Sequence, residues 1–226
     1  MDFVKELENL NIEIDSDKLN KFKKYFELLV EYNKVMNLTG ITDLEGVYLK
    51  HFYDSLTLVK AYDFNNDIKL CDVGSGAGFP SIPLKICFPN IDVTIIDSLN
   101  KRIEFLNVVI KELGLENIRA IHSRAEEFDN RECFDIVTSR ALADVNIGLE
   151  LCMPLVKIDG YYLPMLVGYD LWKNTIKTLG GKFIEEISFT LPIENSSRKI
   201  LKIKKVEHTL EKYPRAFSQI KKKPLR

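Results

Sequence analysis

The stretch Ile68–Leu84, IKLCDVGSGAGFPSIPL, narrows the possible folds more than any other part of the chain. A short apolar run leads directly into three glycines within five positions, Gly74, Gly76 and Gly78, and then into a segment compatible with a helix. Such a strand–turn–helix unit lets a ligand come close to bare backbone at the carboxyl end of a strand. The spacing removes two ligand classes. The dinucleotide fingerprint G-x-G-x-x-G requires a glycine where this chain has Phe79, and the phosphate loop G-x-x-x-x-G-K-[ST] requires a lysine that is absent. A compact G-x-G-x-G turn remains, which by itself identifies no ligand.

The rhythm of the chain supplies the context. From Ile68 onward, strand-like runs (IKLCDV, DVTIID, IRAIH, FDIVTS, GYYLPMLV) alternate with helical stretches. The helices are expected over Ile82–Phe88, SLNKRIEFLNVVIKELG, ADVNIGLELCMPLV and Tyr169–Leu179. This alternation predicts parallel strands, right-handed crossovers and an open doubly wound α/β sheet. Gly114 and the pair Gly180–Gly181 read as left-handed helix caps. Beyond Gly181, KFIEEISFTLP and RKILKIKKV are separated only by IENSS, so these two strands must run antiparallel. The first sixty residues read differently. Leu19, Phe22, Phe26, Leu29, Tyr32 and Met36 recur at spacings of three and four, an amphipathic helix with Ser16 as its expected N-cap. After the polar turn NLTGITD, a second helix is expected over LEGVYLKHFYDSLTLVKAY. The chain thus divides into a helical extension (1–62), a main α/β domain (63–207) and a basic tail (208–226).

Composition bounds the setting. With 226 residues and 46% apolar side chains, the chain can bury one full core. No apolar run approaches the ~18 residues of a membrane span, and MDFVKELENL has no signal-peptide pattern, so a cytoplasmic protein without a membrane partner is expected. Four scattered cysteines (Cys71, Cys87, Cys133, Cys152) read as reduced residues and argue against a zinc site. The net charge of −1 conceals an asymmetry: from Arg198 onward there are eleven Lys/Arg against two acidic residues. A cationic end on an acidic body suits contact with a polyanion, although a merely solvated tail has the same composition.

Ligands of open α/β sheets bind at the carboxyl ends of the strands. The first such end carries the glycine loop. The second places Asp97 nineteen residues past Gly78, where a carboxylate can accept from both ribose hydroxyls or can instead cap the following helix. At the third, Ala125 and Glu126 can border an adenine ring, or Glu126 can simply be solvated. A mostly parallel sheet that ends in an antiparallel hairpin resembles the layout of S-adenosylmethionine-dependent methyltransferases. Of the devices such enzymes use on bases, the fourth end, TSRALAD, has neither the [ND]-P-P-[YF] tetrad of exocyclic-amine methylation nor a nucleophilic cysteine after proline. A target atom that already holds a free lone pair, such as guanine N7, needs neither device. Arg140 at this strand end can orient a guanine edge, anchor a cofactor carboxylate, or form a plain ion pair.

Taken in order, YNKVMNLTGI, HFYDSL, DVGSGAGFP-IPL, DSLNKRIEFL, RAEEF, SRALA and the tail YPR…KKKPL span nearly the whole chain. This set closely resembles the RsmG (GidB) family of bacterial small-subunit ribosomal RNA guanine-N7 methyltransferases. The resemblance implies a Rossmann-like S-adenosylmethionine-dependent methyltransferase fold, with a mostly parallel sheet, a C-terminal antiparallel hairpin and preceding helices. It implies S-adenosylmethionine as donor and a guanine in the 530 loop of 16S rRNA as target, presented on naked rRNA or on the small ribosomal subunit. Residue by residue, the family's cofactor contacts fall on Gly74, Phe79, Ala125, Glu126 and Arg140. Gly76, Gly78 and Asp97 join them from the loop and strand-end reading above. Asn37, Thr39, His51 and Asp54 match the N-terminal motifs expected to line the cleft. With Arg102 and Arg215 they form the candidate substrate-binding set, and Arg140 is the candidate catalytic residue. His51 reads as a cleft-orienting residue, because N7 transfer supplies no proton for it to take.

Three positions depart from the family pattern: Ser81 stands where glycine is usual, Val167 where lysine is usual, and the tail lacks the customary glycine and proline. A monomer is the expected state. Two other readings compete, a small-molecule methyltransferase of the same fold and a non-catalytic RNA-binding or ribosome-assembly factor. Cofactor binding and RNA dependence separate them.

Overall fold

The computed structural model describes residues 1–142, 144–169 and 173–225. Its centre is a seven-stranded sheet built from β1 (Lys69–Val73), β2 (Asp92–Asp97), β3 (Ile118–His122), β4 (Phe134–Arg140), β5 (Val156–Leu166), β6 (Gly181–Thr190) and β7 (Ser197–Lys205), in the order 3-2-1-4-5-7-6. Strands β1 to β5 pair in parallel, while β7 pairs antiparallel with both β5 and β6. The expected hairpin is present, and β7 returns to lie between β5 and β6. The order reverses between β2 and β4 on either side of β1, which puts the glycine loop at the topological switch point.

Successive residues of the central strands face opposite sides, as a period of two requires. Leu70, Val93, Ile95 and Ile136 face a core shared with the N-terminal helices, whereas Cys71, Ile96 and Val137 face a second core. The helices covering the first face are α1 (Phe3–Glu8), α2 (Ser16–Met36), α5 (Ser81–Cys87) and α6 (Asn100–Glu112). The second core includes α7 (Val145–Cys152), Ile176 of α8 (Lys173–Thr178) and Ile220 of α9 (Phe217–Lys222). All four cysteines are free thiols.

Several local expectations are corrected. Helix α2 is capped by Asp15, whose carboxylate accepts from Lys18 N–H at 2.8 Å; Ser16 is its first helical residue. Aspartate accepts from the free N–H groups of the first turn as well as serine does, so the cap moved by one position. The second N-terminal helix is not continuous. It runs as α3 (Leu44–Val47), a π-turn (Tyr48–Tyr53), α4 (Asp54–Leu56) and a 3₁₀ turn (Thr57–Lys60). Ser55 and Thr57 donate their hydroxyls to the His51 and Asp54 carbonyls, both at 2.5 Å, which competes with regular helix bonding. Gly114 and Gly180 are left-handed caps with φ of 58° and 77°, while Gly181 already belongs to β6. Ala143 and residues 170–172, parts of two expected helices, lie outside the described residues.

Candidate functional site

The glycine loop is shaped by what surrounds it. Gly74, Gly76 and Gly78 all have positive φ (72°, 62° and 103°), a region that side-chain-bearing residues rarely occupy. At Gly78 a Cβ would lie 2.6 Å from Ile82 and 2.8 Å from the Tyr25 hydroxyl, so this position is closed from below. Tyr25, fully buried on α2, donates its hydroxyl to Ala77 O at 2.6 Å, and so the N-terminal extension props up the loop. Gly76 faces open space on its Cβ side.

Asp97 ends β2 beside that space. One carboxylate oxygen accepts from Gly76 N–H and from Arg102 Nη1, both at 3.1 Å, and the other accepts from Leu99 N–H at 2.9 Å. Asp97 therefore bonds the chain at the start of α6, as the capping reading expects, and it also tethers the glycine loop, which neither reading anticipated. Each carboxylate oxygen has two lone pairs, so the oxygen bonded to Leu99 keeps one acceptor site. Arg102, from the candidate substrate set, is placed on this carboxylate. A cavity of about 140 Å³ opens here, lined by Gly74, Asp97, Ala125, Glu126, Leu151 and Phe217 among others. Ala125 is buried, and Glu126 lies 3.8 Å from Arg124. Apolar walls with two carboxylates at the rim suit a nucleoside, which offers a flat ring together with hydroxyl and amino donors.

Beneath the loop, Asp72 is buried. Its Oδ2 accepts from Ser81 N–H at 3.2 Å, while its Oδ1 has no hydrogen-bond partner. Burial raises this carboxyl to about 7, against the lowering effect of the Ser81 and Ser75 hydrogen bonds. Ser81 in place of glycine starts α5 without strain and supplies that N–H.

The second cleft, about 420 Å³, lies at the ends of β4 and β5 and is lined by Lys50, His51, Asp54, Arg140, Val167, Arg198 and Lys199 among others. Arg140 ends β4 and crosses to the N-terminal extension. Its Nη1 donates to Lys50 O (2.9 Å) and Asp54 Oδ2 (3.1 Å), and its Nη2 contacts His51 Nδ1 (3.3 Å). Nδ1 also lies 3.1 Å from Lys50 O, and Nε2 meets Thr39 Oγ1 at 2.7 Å, so both ring nitrogens have partners. The proton sits on Nε2 where Nδ1 accepts from Arg140, or on Nδ1 where it donates to Lys50 O. Burial, followed by the Arg140 charge, lowers His51 to about 4, and the ring is neutral at neutral pH. His51 also stacks on Phe79 at 4.5 Å, and the Arg140 guanidinium lies over the same ring at 4.9 Å. Phe79 is thus buried under the site rather than on its surface. Asp54, itself buried, is shared with Arg198, whose Nε donates to Oδ1 at 3.1 Å. These bonds use three of the five N–H donors of Arg140 and leave two.

Among the expected site residues, the structure brings together Thr39, His51, Asp54, Phe79 and Arg140 at one end, and Gly74, Gly76, Asp97, Ala125 and Glu126 at the other. Leu142 lines both cavities, and its Cδ1 lies 2.8 Å from where a Gly74 Cβ would be. Asn37 is the left-handed C-cap of α2 (φ 50°) and is exposed. Arg215 lies apart, with its guanidinium on the buried Glu150 (Nη2 to Oε2, 2.6 Å). Sequence reasoning missed Arg198, Leu142, Glu150 and Phe217. Arg198 is 144 residues from Asp54, and no local pattern announces the pair.

A glycine loop at a switch point, an acid at the end of the neighbouring strand and a small cavity between them are the arrangement of an S-adenosylmethionine-dependent methyltransferase. The fold agrees. A SAM-dependent methyltransferase from Aquifex aeolicus superposes with a TM-score of 0.58 at 15% identity, over 75% of this chain and 97% of that one. The YcgJ protein from a Bacillus species superposes with a TM-score of 0.56 at 15% identity, over 70% and 100%. Residues 18–170 match the family model described as rRNA small subunit methyltransferase G. Relatives named ribosomal RNA small subunit methyltransferase G are 50% identical in Lysinibacillus sphaericus (99% of this chain, 98% of the relative) and 49% identical in Bacillus licheniformis (99% and 97%). The chain belongs to the rRNA small subunit methyltransferase G family.

Proposed function

We propose that this chain methylates N7 of a guanine in the 530 loop of 16S rRNA, with S-adenosylmethionine as donor. When bound, that cofactor supplies an electrophilic sulfonium methyl group. Gly74, Gly76, Asp97, Ala125 and Glu126 would hold its adenosine portion, and the unpartnered Asp72 Oδ1 lies below the loop for its polar end.

The observation that carries the N7 assignment is the chemistry of the larger cleft. It offers cationic donors from Lys50, Arg140, Arg198 and Lys199, and no free base among its described residues. His51 Nδ1 is enclosed by Arg140 Nη2 and Lys50 O, its Nε2 by Thr39 Oγ1, and the Asp54 carboxylate is taken by two guanidinium groups. No cysteine is found among its described lining residues. A target needing deprotonation or covalent activation finds nothing to perform that step. Guanine N7 needs neither, because its lone pair lies in the ring plane. A donor from Arg140 to O6 would fix the base edge and leave N7 free to attack, so catalysis reduces to alignment in a partly dry cleft. A guanine outside a stacked duplex suits such a pocket. Residues 1–62 then form one wall of the cleft, and the acting unit is a cytoplasmic monomer.

Transfer from labelled S-adenosylmethionine should be measured on free 16S rRNA and on small subunits, with borohydride–aniline cleavage to locate 7-methylguanine. A single cleavage in the 530 loop is expected. Cofactor binding without transfer to either form would favour a small-molecule substrate.

A further inference from the structure

The smaller cavity has one wall that does not come from the methyltransferase sheet. Phe217, the first residue of α9, lines it together with Asp97, Ala125 and Glu126. Phe217 is half-buried and packs against the same apolar cluster as Ile96, Ala125 and Leu151. It comes from the basic C-terminal segment, whose composition suits a polyanion or plain solvation.

That segment is anchored at several points between Thr209 and Leu225. Thr209 N–H donates to Glu132 at 2.8 Å, and Arg131 donates to Tyr213 O at 2.6 Å. Arg215 holds buried Glu150 through Nε (2.7 Å) and Nη2 (2.6 Å). Ile220 is fully buried, and Leu225 O accepts from Thr175 at 2.8 Å. These anchors leave Phe217 facing the cavity.

We propose that the C-terminal segment is a structural part of the cofactor site, with Phe217 forming the aromatic wall against the adenine ring. The inference rests on reading this cavity as the adenosine end of the S-adenosylmethionine site. Aromatic faces bind purines by stacking and edge contacts in addition to area burial. Because the wall belongs to the segment, docking of the segment and cofactor binding stabilise one another reciprocally.

The test is calorimetry of S-adenosylhomocysteine with the full-length chain and its Phe217→Ala variant, together with hydrogen exchange over residues 208–225. Phe217→Ala should weaken binding roughly tenfold or more. It should weaken 5′-deoxyadenosine by the same factor, because the truncated side chain faces the ring, and Phe217→Tyr should restore most of the affinity. In the unmodified chain, S-adenosylhomocysteine should slow exchange in 208–225. Unchanged affinity of Phe217→Ala, or exchange indifferent to ligand, would overturn the inference while leaving the cofactor site intact. Failure of the unmodified chain to bind S-adenosylhomocysteine would overturn the underlying reading and the inference with it.

Discussion

Arg140 and Arg215 each join a terminal segment to the sheet domain, and the use each makes of its guanidinium differs. Arg140 reaches Asp54 in the N-terminal extension while the same carboxylate also serves Arg198, so the cluster carries one more cation than anion. Two of its donors remain for a ligand, in a cleft open to solvent. Arg215 meets the fully buried Glu150 through backbone N–H, Nε and Nη2, and Nη2 also reaches Lys223 O. Each guanidinium uses three of its five donors, but those left on Arg140 belong to a residue lining the larger cleft, whereas Arg215 lines neither cavity. The sequence-based grouping of both as site residues rested on charge and motif; what distinguishes them is that Arg140 lines a cleft and shares its carboxylate with a second arginine, while Arg215 alone pairs with Glu150.

The largest effect should come from breaking the first junction. Arg140→Ala is expected to lower kcat/KM by about 10²–10³, the range for removal of one aligned donor at a reacting centre. Circular dichroism should show the fold retained. Near-normal turnover would make Arg140 equivalent to Arg215, a structural tether only.

Arg215→Ala attacks the second junction and should leave a buried carboxylate without its cation. A loss of about 3 kcal/mol in urea unfolding is expected, since removing one partner of a buried pair is more costly than the pair's net contribution. If the comparison holds, the remaining folded enzyme loses cofactor affinity before it loses RNA affinity.

The first junction should also be pH-sensitive. His51 titrates at about 4 in the folded protein against 6.5 unfolded, so the unfolded chain binds more protons between these values. Stability from this site is therefore present above pH 6.5 and lost as pH falls toward 4, by roughly 2–3 kcal/mol. NMR should show the His51 ring neutral throughout the range about pH 6–8, and His51→Asn should flatten the acid limb. A His51 resonance titrating near 6.5 would refute the buried, neutral assignment.

The smallest effect concerns RNA charge. Arg198, Lys199, Lys202, Lys204, Lys205 and Arg215 are all engaged with acidic side chains. Lys221, Lys222 and Lys223 are exposed without ion pairs among the described residues. Changing these three to Gln should reduce the log–log salt slope of RNA binding by about one unit for each phosphate interaction removed. An unchanged slope would leave them merely solvated.

What was legible in the sequence follows from range. The parallel part of the sheet was readable because strand–helix alternation is a local rhythm with few topological solutions. The loop at Gly74–Gly78 and the acid at Asp97 were readable because both sit at strand ends. The seat of β7 between β5 and β6 was not, since IENSS fixes the direction of the pair but not which strand joins the sheet. The π-turn carrying His51 was hidden as well, because LEGVYLKHFYDSL has an unbroken helical pattern. Phe217 at the smaller cavity and Arg198 on Asp54 depend on packing between segments far apart in the chain. No periodicity or motif records them.

A cleft without a free base or thiol among its described lining residues suits methylation of an atom that needs no activation. The most direct test replaces the target guanine of the 530 loop with 7-deazaguanine in reconstituted 16S rRNA and follows labelled methyl transfer. Position 7 is then carbon without a lone pair, while the base edge at O6 is unchanged. The expected result is RNA binding close to that of the unmodified substrate and no transfer to that nucleotide. Methyl incorporation there at the ordinary rate would contradict transfer to N7, placing the reaction at another atom and requiring a base that the cleft does not offer.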